Sequence, residues 1–340
     1  MKTQRSFKAV SLFMFSTLAL PLLARAQTVP PEQIIKEINI YQKGDQWSPR
    51  IVSPTDLKNP ISSRAIGATV IVGGATGIYL GKFNGQHIIA TNAHIAGTDI
   101  DECRAFRPSV LFNKNIWAKT VDCVGLWKDI DMALLIVRPY DVNEWDQETG
   151  QPNEASYKKA EIAIAGKAVN LSYDMIPAQD TPLINVGYGF AGIDDPKRND
   201  PLVIPEPKIM MDQDCRILSK TGDARFLFDP DDINPLGYAA WSMAHGCDIS
   251  HGSSGSMLMD RNTGNIIGLV WTGVWTKDGE KPISSEEIYR ISKSNDEQIW
   301  NRLNYAVPAF KIKQYFLEEI RKGAITGKKA SLIKAIVGQK

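Results

Sequence analysis

The chain has 340 residues, of which 43% are hydrophobic and 23% charged, with a formal net charge of +1. That composition belongs to a globular protein long enough for one large core or two smaller ones, and it excludes a chain that is disordered throughout. The near-neutral balance, which becomes −3 once the four basic residues of the first 26 are gone, excludes a strongly basic nucleic-acid binder. Residues 1–26 read as an export signal. Lys2, Arg5 and Lys8 precede an apolar run over 9–23, and Ala24-Arg25-Ala26 offers a small-x-small cleavage site. An uncleaved anchor is the alternative, but 15 apolar residues are short for a bilayer, and Gln27 and Pro30-Pro31 follow at once. The mature chain is therefore expected to begin at Gln27, secreted or periplasmic.

Residues 27–63 mix Pro, Lys and Asp around a short amphipathic piece at 34–40 and read as an N-terminal arm or a propeptide. Arg50-Ile51 and Arg64-Ala65 are places where a trypsin-like enzyme would cut it. From 64 to 150, short β-like runs recur at 68–72, 77–80, 87–90, 109–112 and 132–137, each bounded by Gly, Asn or Asp. A polar connection over 143–155 leads into a second β-rich part, 151–308, with runs at 162–165, 183–188, 208–211, 256–259, 266–271 and 303–307. Many short strands separated by turns suggest barrels or sandwiches. Phe310, Ile312, Phe316, Leu317 and Ile320 then share one face of a predicted helix over 309–321, within a C-terminal segment 309–322. The tail 323–340 carries four lysines and no acid, and reads as solvated or, alternatively, as a contact for anionic membranes.

Four cysteines, Cys103, Cys123, Cys215 and Cys247, lie in the exported part. An even count in an oxidising compartment favours two disulfides over free thiols, and nearness in sequence favours Cys103–Cys123 and Cys215–Cys247. No CxxC spacing occurs. A zinc set of His245, Cys247 and His251 competes with the disulfide use of Cys247. No metal and no cofactor is expected.

Three local patterns carry chemistry, in the order His, Asp, Ser: Thr91-Asn92-Ala93-His94, Asp131-Met132-Ala133-Leu134-Leu135, and Gly252-Ser253-Ser254-Gly255-Ser256. A serine hydroxyl is a poor nucleophile near neutrality and needs an imidazole within hydrogen-bonding reach, and a buried carboxylate must hold that imidazole in the right tautomer. Ser254, His94 and Asp131 are the candidates. Asp131 is preferred to Asp129 because an apolar run follows it directly. Glycines at 252 and 255 permit a tight turn whose backbone N–H groups, those of Gly252 and Ser254, would face the developing oxyanion.

On these motifs the sequence resembles the trypsin-like (chymotrypsin-fold) serine peptidases, most closely their secreted bacterial glutamyl-endopeptidase-like branch. Asn185-Val186-Gly187-Tyr188-Gly189, the 268–273 strand and Asn304-Tyr305-Ala306-Val307-Pro308 extend the likeness over about 66–320. It implies an all-β fold of two packed antiparallel six-stranded barrels with a C-terminal α-helix, the active site lying between them. It also implies a monomeric serine endopeptidase acting on polypeptides. The rival from another class is a catalytically silent binding or adhesion module.

By the same likeness Asp248, Val270, Trp271, Thr272 and Gly273 would border the substrate. Glutamyl-specific relatives have a histidine where Val270 stands, so strict glutamate preference is not expected. Asp248, six residues before Ser254, would favour basic residues if it reached the pocket base, and small or apolar residues are the alternative. Ser253 stands where the trypsin branch has the acid of its zymogen switch, so that switch is expected to be absent.

Overall fold

The computed structural model describes residues 40–146, 149, 151–189, 206–231, 235–274, 281–294, 300 and 302–338. The expected export signal, the mature start at Gln27 and the amphipathic piece ahead of Ile40 lie outside them. Eighteen strands are described: β1 Ile40–Tyr41, β2 Arg50–Ile51, β3 Thr69–Val72, β4 Ala75–Phe83, β5 Gln86–Thr91, β6 Ser109–Leu111, β7 Ile116–Trp127, β8 Met132–Asp141, β9 Trp145–Asp146, β10 Gln151–Pro152, β11 Leu183–Gly187, β12 Lys208–Met210, β13 Arg225–Phe228, β14 Ala239–His245, β15 Ile249–Ser250, β16 Met257–Asp260, β17 Ile266–Gly273 and β18 Asn304–Pro308.

β3 to β8 close into an antiparallel barrel in the order β3-β4-β5-β8-β7-β6. Closure leaves no edge with unpaired backbone groups. Both faces of its strands are apolar, which the period-2 alternation turns into two cores. Val70, Val72, Tyr79, Ile89, Ala133, Leu135 and Val137 pack with one another, while their alternates Ile78, Leu80, Ile88, Ala90, Met132 and Leu134 pack with Leu269, Phe316 and the rest of the chain.

The second β-rich part hydrogen-bonds as one eight-stranded sheet, ordered β13-β14-β18-β17-β16-β11-β12-β2. Where the sequence leads one to expect a second six-stranded closure, the described strands form this sheet, and its last strand, β2, comes from the N-terminal arm. β18, from near the chain's end, lies between β14 and β17. The helix Ala309–Arg321 follows with the predicted bounds, and its Phe316 meets the edge of Trp127, with ring centroids 4.7 Å apart.

Several local expectations change. Residues 162–165 are not a strand. Ile162 and Ile164 belong to the helix Glu154–Ile164, capped by the Asn153 side chain accepting from the Ser156 N–H at 2.9 Å. The tail is not solvated: residues Gly327–Ile336 form a helix, and Leu332, Ile333, Ile336 and Val337 are buried in the main core. Its apolar face is thereby packed into this protein's own core. Among the described residues no helix is long and apolar enough to cross one.

Residues 40–63 are built into the fold. Two short helices, Pro54–Lys58 and Pro60–Ala68, follow β2. Ser53 and Asp56 form a reciprocal cap on the first, and Asn59 caps the second. Arg50 grips Asp56 with both guanidinium nitrogens, at 2.6 and 2.8 Å.

Candidate active site

His94 sits in a single helical turn, Ala93–Ala96, directly after β5, so the barrel wall fixes where its backbone points. Asp131 lies between a 3-10 turn, Lys128–Ile130, and β8, with a left-handed φ of +33°. Aspartate is among the few residues that tolerate this region, and three hydrogen bonds to its fully buried carboxylate hold it there. Oδ2 faces Nδ1 of His94 at 2.8 Å, and Oδ1 accepts from the His94 backbone N–H at 3.1 Å. The Tyr238 hydroxyl donates to the same Oδ1 at 2.5 Å. Asn92 completes the junction by donating its amide to the Asp131 carbonyl at 2.9 Å.

Burial alone would pull the His94 imidazole down. The charge of Asp131, the hydrogen bond to it and the charge of Asp229 outweigh that effect and hold the ring above its ordinary value.

Ser254 stands in the turn between β15 and β16. Of the serines in the Gly-Ser run, Ser253 is buried with its Oγ accepting from the Ser250 N–H at 3.1 Å, and Ser256 is buried with its Oγ accepting from Asn185 at 2.8 Å. Ser254 instead lines a cavity of about 320 Å³ together with His94 and Gly252. Gly252 and Gly255 have φ of +86° and +83°, and a Cβ on Gly255 would come within 2.1 Å of the Thr76 carbonyl, so only glycine fits there. Thr76 on β4 staples this turn to the barrel. Its N–H donates to the Ser254 carbonyl at 3.1 Å and its hydroxyl to the Gly252 carbonyl at 2.7 Å. Among the described residues the N–H groups of Gly252 and Ser254 meet no hydrogen-bond acceptor.

The 270–273 segment of β17 borders the cavity, with Ile249, Asp229 and Asp231. Thr272 donates its hydroxyl to Asp229, and Trp271 donates its indole N–H to Ser242 at 3.1 Å. Asp248 does not border this cavity. Its buried carboxylate accepts from the Lys43 N–H at 2.5 Å and the Ser48 N–H at 3.0 Å, so the arm, absent from any offset-based reading, has claimed it. Burial pushes that carboxyl up to about 7, against the hydrogen bonds from Lys43 and Ser48.

The arm reaches the site itself. β1 pairs with β15, Ile40 opposite Ser250 and Tyr41 opposite Ile249. Tyr41 borders the cavity and donates its hydroxyl to Asp231 at 2.5 Å. Asn304 donates to the carbonyls of both Tyr41 and Cys247, at 2.9 and 2.8 Å, tying the arm, the loop that leads to Ser254 and β18 together.

Cys103 is bonded to Cys123 and Cys215 to Cys247, the pairs that proximity favours. Cys247 is thus not a thiolate ligand for zinc. His245 is fully buried and accepts at Nδ1 from the Cys247 N–H at 3.2 Å. Burial first, and the charge of Lys43 next, pull its imidazole down to about 3. His87 lies on β5 as expected, between the Tyr79 hydroxyl and Glu161, each 2.8 Å away. Among the described residues no group of three or more His, Cys, Asp or Glu side chains could hold a metal ion.

No family model matches this chain, and no curated protein matches it. It is similar to many solved structures, among them three that each share 16% identity with it. One is the inactive form of the Rv3671c protease of M. tuberculosis H37Rv, covering 81% of this chain and 98% of that one with a TM-score of 0.41. Another is the HtrA-type protease AlgW with a decapeptide, covering 78% and 68% with a TM-score of 0.41. The third is Deg5, covering 77% and 94% with a TM-score of 0.40. Likenesses this distant carry no argument about the activity of this chain, which its own residues must decide.

Proposed function

We propose that the protein is a serine endopeptidase, exported from the cell, that cleaves polypeptides through an acyl-enzyme intermediate. The observation that carries this reading is one cavity bordered by Ser254, by Gly252 and by a His94 ring whose Nδ1 is held by a buried carboxylate, with the N–H groups of Gly252 and Ser254 meeting no acceptor among the described residues. In the proposed reaction Nε2 of His94 takes the Ser254 hydroxyl proton as Oγ bonds to the scissile carbonyl carbon. The carbonyl oxygen gains the negative charge and receives the N–H groups of Gly252 and Ser254. Asp131 stays ionised and stabilises the imidazolium. His94 returns its proton to the leaving amine as the C–N bond breaks. Water, deprotonated by the same ring, then bonds to the acyl carbon, and the ring gives that proton to Ser254 Oγ as the ester C–O bond breaks. Two disulfides favour export into an oxidising compartment.

The test uses a fluorophosphonate probe and Ser254→Ala. The wild type should be labelled at one serine. Ser254→Ala should lose labelling and at least about 10⁴-fold in kcat. Activity should fall as acid protonates His94, with a midpoint above the ordinary histidine value. A fully folded wild type that takes up no probe would favour the silent binding module.

A further inference from the structure

We propose that Tyr238 is a positioning residue of this site, its hydroxyl locking Asp131 in the rotamer that orients His94. The inference rests on the peptidase reading for its catalytic consequence and on geometry for the contact itself. Tyr238 immediately precedes β14 in the eight-stranded sheet, whereas Asp131 belongs to the closed barrel, 107 residues earlier in the chain. The bond therefore crosses from one β unit to the other at the acid itself. Asp131 has no exposed surface, so no bulk water reaches Oδ1 to replace a lost donor. Oδ1 is shared by the His94 N–H and the Tyr238 hydroxyl, which leaves Oδ2 to the imidazole.

The phenol is a permanent donor. Burial first, and then the charge of Asp131, push its ionisation far above the ordinary tyrosine range. Lys128 lies over the ring, 5.7 Å from its centroid, and fixes it from the side of the 3-10 turn. The charged or titratable groups facing this assembly are His94, Asp131, Asp229 and Lys128.

Removing the hydroxyl concentrates the carboxylate charge on the bond to His94. The imidazolium then gains a stronger partner, and its titration moves upward. Ring position also loosens, because one of three restraints on the carboxylate is gone.

The experiment compares the full mature chain with Tyr238→Phe, which keeps the ring under Lys128, after melting curves establish that both are folded. The His94 ring nitrogens are followed by NMR across pH, and kcat and KM are measured on one peptide substrate. The expected result in Tyr238→Phe is a His94 midpoint, and with it the acid limb of kcat/KM, raised by about half a unit or more. A kcat loss of about three- to tenfold should accompany it, with KM within about twofold. In the unsubstituted chain the bond should also appear as a slowly exchanging, downfield tyrosine hydroxyl proton. An unmoved imidazole midpoint, or the lack of that hydroxyl signal, overturns the proposal. The imidazole titration reads the Tyr238–Asp131 contact whether or not peptides are cut. A wild type that resists the fluorophosphonate would instead overturn the peptidase reading.

Discussion

In the proposed peptidase, side chains around the cavity would decide which substrate residue it takes. Ile249, Val270 and Trp271 supply apolar wall, and Asp229 spends both carboxylate oxygens internally, on Thr272, on the Asp231 N–H at 3.1 Å and on the Leu236 N–H at 3.0 Å. Burial also raises the Asp229 carboxyl above its ordinary value, so it is a poor anion for a lysine or arginine guest. With Asp248 held by the arm, the expected specificity is for small or apolar residues before the scissile bond. Peptide-library profiling checks this, with Asp248→Asn alongside: dominant cleavage after lysine or arginine would overturn it. The triad candidates are legible in sequence because each sits in a short pattern whose chemistry is local. Tyr238 and Thr76 are not, since their partners lie 107 residues away for Tyr238 and 176 for the Thr76 hydroxyl, and neither stands in a recognisable string. Asp248 misleads for the same reason, as an offset from Ser254 says nothing of a segment 205 residues upstream that folds over it.

Among the elements, the arm from Ile40 onward behaves as part of the site. It adds β1 beside the nucleophile loop, Tyr41 to the cavity and β2 to the sheet edge. Arg64-Ala65 lies inside a helix with Ala65 fully buried, so a cut there requires local unfolding. Trimming that stops before Ile40 should leave probe labelling within about twofold, whereas a chain starting at Ile51 should lose it by tenfold or more. Equal labelling of the two trimmed chains would show the arm to be dispensable. The strand β7 escapes sequence reading because bulges at 120/122 and 123/125 shift its register twice and break the period-2 pattern. The burial of the helix at 327–336 escapes sequence reading, although Leu332, Ile333, Ile336 and Val337 share one possible helical face there, because its three lysines look solvated until the core it meets is known.

Taken as a whole, the molecule keeps a polar group of Lys43, His245 and Asp248 buried behind the nucleophile loop. His245 is held near 3, below the unfolded value of 6.5. Between those values the unfolded chain binds a proton that the folded chain refuses, so this histidine's contribution is complete above pH 6.5 and is lost as pH falls towards 3. The slope is at most about 1.4 kcal/mol per pH unit. Asp248, raised to about 7, acts in the opposite sense, gaining a proton in the folded state as pH falls. The comparison of wild type with His245→Gln isolates the first effect. Melting temperature between pH 7 and pH 5 should fall less steeply in the variant, and parallel profiles would refute the assignment.

The placement of β18 between β14 and β17 also sets when the sheet can be completed. Residues 304–308 are synthesised after every other described strand, yet Asn304 ties the first described strand to the loop that precedes Ser254. A chain without them lacks that knot, and the sheet beside Ser254 stays open between β14 and β17. The cavity that Ser254 borders is therefore completed only when residues 304–308 are in place, so a chain cut short before them should take up no fluorophosphonate.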